Sequence, residues 1–362
     1  MLEKVELILI SMLSKTRKNL QLLLPCFTVQ FLTSYFTPRS RSLKSFITNL
    51  CRQLKGGGME IIMKKIVLAG LINIETTVAV GAFPIEYSPI DYRFFGVEST
   101  VSGVGYNLSK AMKTLGTDVE ILSLAGKDMF KPIIDNEFKK EGISTEHVIE
   151  ELDNIPQSVI LYDSEGKRKI NLDLKDIQDK AYPTEKVSHV IADADVVIPC
   201  NINFARSVMR EAKKLGKLIA TDVHVIDNTE DEYNKEFMEA ADILFFSNEN
   251  ILGREEKFVK EVIEKYDNEI IVVGLGKEGA LLYVKADDTI VKYPAVDIRK
   301  VVSTIGAGDA LFSAFIHFYI NGATPYDAIQ NAIVFASYKI GEKGGAKGFL
   351  SESELIELKA KL

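Results

Sequence analysis

A glycine-rich turn that ends in a carboxylate, Gly306-Ala307-Gly308-Asp309, has the clearest potential for chemistry in this chain. It follows a β-branched run and precedes an amphipathic segment, 310–320, so we predict a helix that begins at the turn. Its small residues leave backbone N–H groups accessible, and the start of a helix favours an anion such as phosphate. A carboxylate would repel that anion, so we interpret Asp309 as a general base that deprotonates an attacking hydroxyl. From this window alone, a helix-capping Asp is the alternative.

The surrounding segment is similar to a known signature. Thr304-Ile305-Gly306-Ala307-Gly308-Asp309 resembles the DTxGAGD motif of ribokinase-like (PfkB-type) carbohydrate kinases. The resemblance implies that Asp309 is the catalytic base and that residues 306–309 form the anion hole for the transferring group. Ser303 stands where the motif begins with Asp, which in several members helps to hold an activating monovalent cation. The resemblance therefore leaves open whether a monovalent cation takes part here.

Two polar side chains follow the first predicted strand, 65–70, at the end where doubly wound sheets bind ligands. Gly70, Asn73 and Glu75 resemble the Gly-x-x-Asn-x-Asp segment of the family, with Glu75 as a longer carboxylate. The resemblance implies that Asn73 and Glu75 bind hydroxyl groups of the phosphoryl acceptor. A solvated loop is the alternative. A nicotinamide-dependent dehydrogenase would need GxGxxG here, and the residues after Gly70 do not supply it.

A second glycine motif, Ser102-Gly103-Val104-Gly105-Tyr106-Asn107, opens a predicted helix over 108–115. It resembles the GGxGxN signature of the family, with Ser102 where the first Gly is usual. We expect the two glycines to lack a Cβ because the backbone approaches the substrate closely there. Asn107 is expected to exchange hydrogen bonds with substrate hydroxyls.

Several later positions resemble the nucleotide-binding segments of the family. Residues 273–282 resemble TLGxxG, with Gly in place of Thr, although an ordinary turn between strands is the alternative. Asn248 begins a segment similar to NxxE, which orders the magnesium shell through water, but Ile251 stands at its fourth position and Glu249 is out of register. Mg²⁺ would then be held mainly by the nucleotide phosphates, and no protein ligand is assigned to it. The resemblance implies that ATP contacts Asn248, Gly274, Gly276, Gly279, Thr304 and Asn331.

Two pairs of predicted short strands, at about 75–102 and 156–174, have no helical period. The resemblance implies that they form a lid over the substrate and a contact through which the chain forms a homodimer. We expect the aromatic side chains of the first pair to pack in the lid or an interface rather than to stack on a ligand. Arg168 and Lys169 could approach a phosphate, although such a pair on a hairpin is usually solvated.

Predicted strands and helices alternate regularly in the second half of the chain, which indicates a parallel sheet covered on both faces. The predicted strands are 195–199, 217–221, 242–247 and 269–274, and the predicted helices are 203–215, 232–241, 254–266 and 325–340. With the resemblance, this predicts an α/β fold: a three-layer αβα ribokinase-like sandwich with a mostly parallel central sheet and a small β-strand lid. Asp222 and His224 follow a strand end, where we expect His224 to be structural.

The composition is that of an ordinary globular protein, with 362 residues, 46% hydrophobic and 26% charged, and a net charge of −7. Beyond residue 58 acidic residues outnumber basic residues, and this excess of negative charge argues against non-specific binding of nucleic acid. No apolar run approaches the roughly 18 uninterrupted residues of a membrane span. Three cysteines and four histidines have no disulfide or metal-ligand spacing, which fits a reducing cytoplasm.

The first 58 residues differ from the rest, because they are basic and end in Lys55-Gly56-Gly57-Gly58 before Met59. We expect this segment to be non-native, with a true start at Met59 or Met63, or else a disordered or helical appendage. The kinase domain is predicted over 59–350, and a C-terminal helix of the same domain over 351–362.

Taken together, the order of these segments predicts an ATP- and magnesium-dependent phosphotransferase. Its acceptor would be an alcohol group of a sugar, nucleoside or polyol, and Asp309 would be the general base. The alternative is a relative of the same fold that binds a sugar or nucleoside without catalysis, for which Ser303 and Ile251 are the support.

Overall fold

The first strand shows how the chain forms layers, because its consecutive side chains point in opposite directions. Ile66 and Leu68 belong to one hydrophobic core, and Val67 and Ala69 belong to the other. Both faces of the strand are therefore buried, as expected for a parallel sheet. The computed structural model describes residues 64–164 and 167–362, so the predictions for residues 1–58 lie outside the described part of the chain.

Nine of the thirteen strands in the described residues form one large sheet. In chain order the strands are β1 (Lys65–Ala69), β2 (Asn73–Ala79), β3 (Val97–Ser102), β4 (Asp118–Gly126), β5 (Val148–Leu152), β6 (Gln157–Tyr162), β7 (Arg168–Asp173), β8 (Val196–Pro199), β9 (Leu218–Val225), β10 (Ile243–Ser247), β11 (Ile270–Gly274), β12 (Ala280–Val284) and β13 (Thr289–Tyr293). The spatial order is β13-β12-β11-β10-β9-β8-β1-β4-β5. Only the pairs β11–β12 and β12–β13 are antiparallel.

Helices cover both faces of this sheet. They are α1 (Val104–Leu115), α2 (Lys131–Glu141), α3 (Ser188–Asp193), α4 (Ala205–Lys214), α5 (Lys235–Ala240), α6 (Glu255–Lys265), α7 (Ala307–Ile320), α8 (Pro325–Lys339) and α9 (Glu352–Lys359). Helices α1, α2, α7, α8 and α9 contribute to the core that contains Ile66, and α3 to α6 contribute to the core that contains Val67. The predicted three-layer αβα architecture with a mostly parallel sheet is confirmed.

The four remaining strands form a small sheet in the order β3-β2-β6-β7. Its two outer pairs are antiparallel and its central pair, β2–β6, is parallel. The segment between β2 and β3 contains no further strand, and most of its aromatic side chains are exposed, with Tyr87 at 93% and Phe95 at 101%. These residues do not pack inside the small sheet, so packing at an interface stays a prediction.

Element boundaries differ from the sequence-based expectations mainly where capping signals are weak. The helix expected over 232–241 is confined to Lys235–Ala240, and α1 begins four residues earlier than expected, at Val104. Three short elements, α3, β5 and β13, were not predicted. No helix among the described residues is long and apolar enough to cross a membrane.

The start of α1 packs closely against the chain at the end of β1, and glycines at this contact make the close approach possible. A Cβ on Gly105 would lie 2.5 Å from the carbonyl carbon of Gly70, and a Cβ on Gly103, where φ is +98°, would lie 2.5 Å from the oxygen of Leu71. Both glycines therefore make room for the β1–β2 connection, which leads to Asn73. The expectation that they also let the backbone approach the substrate stays a prediction, and Gly103 lines the cavity described in the next subsection.

This crossing gives a test of the fold. Replacement Gly105→Ala should destabilise the protein by about 1–3 kcal/mol or more, because the added methyl group overlaps fixed backbone atoms. Gly81→Ala is the matched control, because its Cβ would meet only the Arg93 side chain at 3.7 Å. Thermal unfolding of both variants measures the difference, and equal melting temperatures would contradict the packing described here.

Candidate functional site

A cavity of about 860 Å³ lies where the carboxyl ends of the central strands meet the small sheet. Its floor includes Asp222 of β9, Ser247 of β10 and Gly274 of β11, and its other side includes Ile160 and Arg168 of the small sheet. The starts of α1 and α7 also line it. A cavity at the carboxyl ends of parallel strands is the usual ligand site of an open α/β sheet, and its volume suits a small ligand.

Asp309 lies in the first turn of α7 and lines this cavity. Its Oδ2 accepts a hydrogen bond of 2.8 Å from Nδ2 of Asn107, which lies in α1. Gly306 is the capping residue of α7, and no side chain caps the helix, so the interpretation of Asp309 as a helix cap is wrong. The carboxylate is instead held toward the cavity by a residue 202 positions away in the sequence.

The environment of Asp309 favours its neutral form. Burial raises the pKa of its carboxyl, and the charge of Asp222 raises it further. The hydrogen bond from Asn107 and the charges of His224 and Lys339 oppose this increase in pKa. A carboxylate with a raised pKa is a stronger base than an ordinary Asp once it is ionised, as a general base requires.

The start of α7 offers backbone donors beside Asp309. Gly308 and Asp309 occupy the first turn, where N–H groups have no carbonyl partner within a helix. A Cβ on Gly308 would meet nothing within 4 Å, so no packing reason requires glycine there, and Gly308 lines the cavity. The N–H of Ala307 already donates to the carbonyl of Thr304, at 3.2 Å. Of the backbone N–H groups predicted to form the anion hole, that of Ala307 therefore already has a protein partner.

Asn73 and Glu75 line the same cavity as Asp309, and both are buried. Nδ2 of Asn73 donates to Ser158 Oγ at 3.2 Å, and Ser102 Oγ donates to Glu75 Oε2 at 3.1 Å. The remaining oxygens, Asn73 Oδ1 and Glu75 Oε1, have no hydrogen-bond partner among the described residues. Buried acceptors of this kind need donors, and ligand hydroxyl groups would provide them.

Glu75 and Asn107 have environments that the sequence did not reveal. Burial raises the pKa of Glu75 most, and the charge of Asp309 contributes to the increase, while the hydrogen bond from Ser102 opposes it. Asn107 Oδ1 lies 3.3 Å from Ser102 Oγ, whose single hydroxyl hydrogen is shared between this amide oxygen and Glu75 Oε2. Asn107 lines the cavity and its Nδ2 donates to Asp309, so its expected contact with substrate hydroxyls stays a prediction.

Of the residues that were expected to contact the nucleotide, most line the cavity but Asn331 does not. Gly274, Gly276, Gly279 and Thr304 line the cavity. Asn331 does not, because it lies on another face of α8, where its Oδ1 accepts a 2.6 Å hydrogen bond from Lys359 of α9. That arrangement leaves no basis for a contact between Asn331 and the nucleotide.

Asn248 is buried next to the cavity, directly after β10. Its Nδ2 donates to Glu255 Oε1 at 2.9 Å, and this hydrogen bond lowers the pKa of the Glu255 carboxyl. Ile251, at the fourth position of the motif, is in the hydrophobic core. The carboxylate beside Asn248 therefore comes from the start of α6, seven residues along the chain, and the fixed motif spacing did not indicate it.

Two cationic residues, Arg168 and Lys339, lie near the turn before α7. The sequence favoured a solvated position for Arg168 and gave no indication for Lys339. Arg168 of β7 donates from Nη1 to Thr304 Oγ1 at 3.0 Å, so it connects the small sheet to the turn before α7, and its Nη2 lies 3.6 Å from Glu249. Lys339 ends α8 and is completely buried. Without the fold, nothing in the α8 sequence distinguishes Lys339 from a surface lysine.

The donor set near the cavity suits magnesium that is bound through a ligand. Residues 64–164 and 167–362 contain no group of three or more His, Cys, Asp or Glu that could hold a metal ion. Mg²⁺ commonly keeps several waters and binds through one or two carboxylates together with substrate phosphates. Glu255, ionised and held by Asn248, fits a role in orienting such waters.

Comparison with known proteins gives a consistent result. The model of the pfkB family of carbohydrate kinases matches residues 63–352. A 5-dehydro-2-deoxygluconokinase from Clostridium perfringens is 26% identical over 304 residues, covering 73% of this chain and 88% of that protein. A microbiome-derived acarbose kinase has a similar structure, with a TM-score of 0.74, 23% identity, and coverage of 82% of this chain and 99% of that chain. A nucleoside kinase from Methanocaldococcus jannaschii has a TM-score of 0.68, 18% identity, and coverage of 83% and 99%.

The raised pKa of Asp309 predicts a stability change that can be measured without any ligand. Asp309→Asn should raise the melting temperature at pH 8 by roughly 2–4 °C, the shift that about 1 kcal/mol produces in a somewhat smaller domain. The reason is that the folded protein no longer holds a desolvated carboxylate. As the pH falls through the raised pKa, the wild-type carboxylate takes up a proton in the folded state, so the difference should shrink.

Differential scanning fluorimetry between pH 5 and pH 8 measures this effect, with Glu264→Gln at an exposed position of α6 as the control. A melting temperature of Asp309→Asn below that of the wild type at every pH would contradict the electrostatic description.

Proposed function

Because this chain belongs to the pfkB family of carbohydrate kinases, we propose that it transfers the γ-phosphoryl group of ATP to a hydroxyl group of a sugar or nucleoside. One observation supports this most directly. The buried acceptors Asn73 and Glu75 line the same cavity as Asp309 and the start of α7. A hydroxyl compound held by the first pair would present an oxygen to Asp309, beside backbone donors suited to a phosphoryl group.

In this proposal Asp309 accepts the proton of the attacking hydroxyl as the hydroxyl oxygen bonds to the γ-phosphorus of ATP. The bond between that phosphorus and the β–γ bridging oxygen breaks, and ADP leaves with the bridging oxygen. Asn107 holds one carboxylate oxygen, Oδ2, and thereby fixes the orientation of the carboxylate toward the acceptor. The N–H groups of Gly308 and Asp309 stabilise the negative charge on the transferring group. The base and the backbone donors belong to the first turn of α7, and the orienting side chain of Asn107 belongs to α1. The packing of α1 against α7 therefore sets their relative positions.

ATP would lie over the segment that contains Gly274, Gly276 and Gly279, with its phosphates directed toward Thr304. Magnesium, when bound with the nucleotide, supplies charge neutralisation at the phosphates. Asn248 and Glu255 of this chain would order its water ligands.

The small sheet would act as a lid. Ile160, Ile170 and Leu172 line the cavity from the small sheet, so they would exclude water from the acceptor and limit wasteful ATP hydrolysis. Arg168 lies on the same strand as Ile170 and contacts Thr304, so it would bring positive charge to the transferring phosphoryl group.

The acceptor class follows from the unsatisfied oxygens. Asn73 Oδ1 and Glu75 Oε1 call for two hydroxyl donors, as adjacent hydroxyls of a sugar ring or ribose would supply. The relatives described above are named as a deoxygluconokinase, an acarbose kinase and a nucleoside kinase. Sugars and nucleosides are therefore both proposed as acceptors, and a homodimer formed through the exposed aromatic segment before β3 remains an expectation.

The central test is Asp309→Asn. Turnover should fall on the order of 10²–10⁴-fold, because the variant cannot accept the proton, while an ATP analogue should still bind. The measurement is acceptor-dependent ADP release with a panel of sugars, nucleosides and polyols. In the wild type, kcat/KM should fall as the pH drops through the raised pKa of Asp309.

Near-normal turnover of Asp309→Asn would remove Asp309 from the mechanism. An acceptor that stabilises the wild type in a thermal-shift screen without any ADP release, even with ATP and magnesium, would instead support the non-catalytic alternative.

The two basic residues of the β7 hairpin provide a matched pair. Arg168→Met should lower kcat/KM by about 10²-fold, because it removes a cation beside the transferring group. Lys169→Met should leave the rate unchanged, because Lys169 is exposed and does not line the cavity. Steady-state kinetics of the two variants measure this, and equal effects would show that Arg168 acts only through the general charge of the hairpin.

A further inference from the structure

Lys339, the last residue of α8, carries its charge in a place where charges are rare. Its side chain is 0% exposed and ranks with the large core phenylalanines among the most deeply buried side chains of the described residues. Lysine is almost never fully buried unless its charge has partners. The identity of those partners therefore indicates what the residue does.

The partners of the Lys339 ammonium are backbone carbonyl oxygens. Its Nζ donates to the carbonyl of Ile305, in the turn before α7, and to the carbonyl of Gly344 at 2.6 Å. A cation that is coordinated by carbonyl oxygens in place of water is also the arrangement that proteins provide for K⁺. The ammonium group of a lysine and K⁺ have the same charge and nearly the same size.

The two carbonyls belong to segments that pack backbone against backbone. The N–H groups of Val302 and Ser303 donate to the carbonyl of Ile340 at 2.8 and 3.0 Å. Gly306 is so close to the same loop that a Cβ on it would lie 2.5 Å from the oxygen of Gly345. Without a cation, carbonyl dipoles would face each other at this junction. The ammonium therefore holds the turn that aims the first N–H groups of α7.

The same charge acts on the carboxylates of the site. It lowers the pKa of Asp309 and of Glu75, against the effect of burial. The groups that face the ammonium are Asp309 of α7, Glu75 of β2, Glu342 after α8 and Arg168 of β7. The three carboxylates raise the pKa of Lys339, but burial and Arg168 lower it, to about 8.

We propose that Lys339 is a positioning residue whose ammonium group serves as a built-in monovalent cation for the anion-hole turn, so that the enzyme works without potassium. Ser303 agrees with this proposal. It stands where the family signature has a carboxylate, so it brings no negative charge that could hold a free cation. Its hydroxyl accepts a hydrogen bond of 3.3 Å from the N–H of Ile305, and the carbonyl of Ile305 accepts from Lys339. This inference rests on the proposed kinase function for its kinetic readouts, but not for its stability readout.

The test compares two substitutions that remove the charge in different ways. Lys339→Ala leaves a space lined by two carbonyls, whereas Lys339→Met fills the space with a neutral chain of similar length. Both should lower kcat on the order of 10²-fold, as expected for a displaced anion hole, with a smaller change in KM. Potassium or ammonium chloride should restore Lys339→Ala but not Lys339→Met, and choline chloride at equal ionic strength should restore neither. The wild type should have the same rate in all three salts.

Two further readouts separate this proposal from a purely structural function. First, kcat/KM of the wild type should fall as the pH rises through about 8, where the ammonium loses its proton. The potassium-restored Lys339→Ala enzyme should lack this alkaline decline, because K⁺ does not titrate. Second, potassium chloride should raise the melting temperature of ligand-free Lys339→Ala above its value in choline chloride, without a comparable effect on the wild type.

The proposal is overturned if potassium activates the wild type, if Lys339→Met keeps full turnover, or if potassium neither stabilises nor restores Lys339→Ala. The stability measurement needs no substrate. A potassium-dependent melting temperature in Lys339→Ala together with no phosphoryl transfer by the wild type would therefore refute the proposed function while it supports the cation-binding geometry.

Discussion

The structure of this site depends on one electrostatic conflict at the start of α7. The same helical turn presents N–H donors suited to an anion and carries Asp309, whose carboxylate would repel an anion. Burial sharpens the conflict, because it raises the pKa of Asp309 and of Glu75 in a shared cavity. The hydrogen bond from Asn107 and the charges of His224 and Lys339 oppose this increase in the pKa of Asp309.

Close backbone packing joins the two halves of the cavity. Gly70 and Gly105 bring β1 against α1, and Gly306 and Gly345 bring the turn before α7 against the loop after α8. A Cβ on Gly345 would also lie 2.7 Å from Nδ2 of Asn107. Because glycines allow close approach at each junction, tight packing restrains the distance from Asn73 and Glu75 to Asp309. Tight packing of this kind holds the two sides of the cavity in a fixed arrangement, as the proposed phosphoryl transfer would require.

Departures from the family signatures coincide with local replacements in the structure. Ser102, in place of glycine, lies within hydrogen-bond distance of Glu75 Oε2 and of Asn107 Oδ1, so it links Glu75 to the residue that donates to Asp309. Ile251 belongs to the core, and Glu255 supplies the carboxylate beside Asn248. In the second case a residue at another position in the sequence supplies the polar group beside Asn248. This is possible because the cavity requires groups at certain places in space, whereas a motif specifies only their spacing along the chain.

The sequence by itself determined the layered αβα fold and the central motif residues, because strand periodicity and glycine turns are local properties of the chain. Asn73 and Glu75 were singled out by their place after a strand and by the resemblance to a family motif, Asp309 by its glycine turn, and the structure brings all three to one cavity. Only the tertiary structure decided the rest. It brought Asn107 within hydrogen-bond distance of Asp309 and placed Asn331 outside the cavity lining. It also buried Lys339 among carbonyls, since burial and charge pairing arise when segments far apart in sequence pack together.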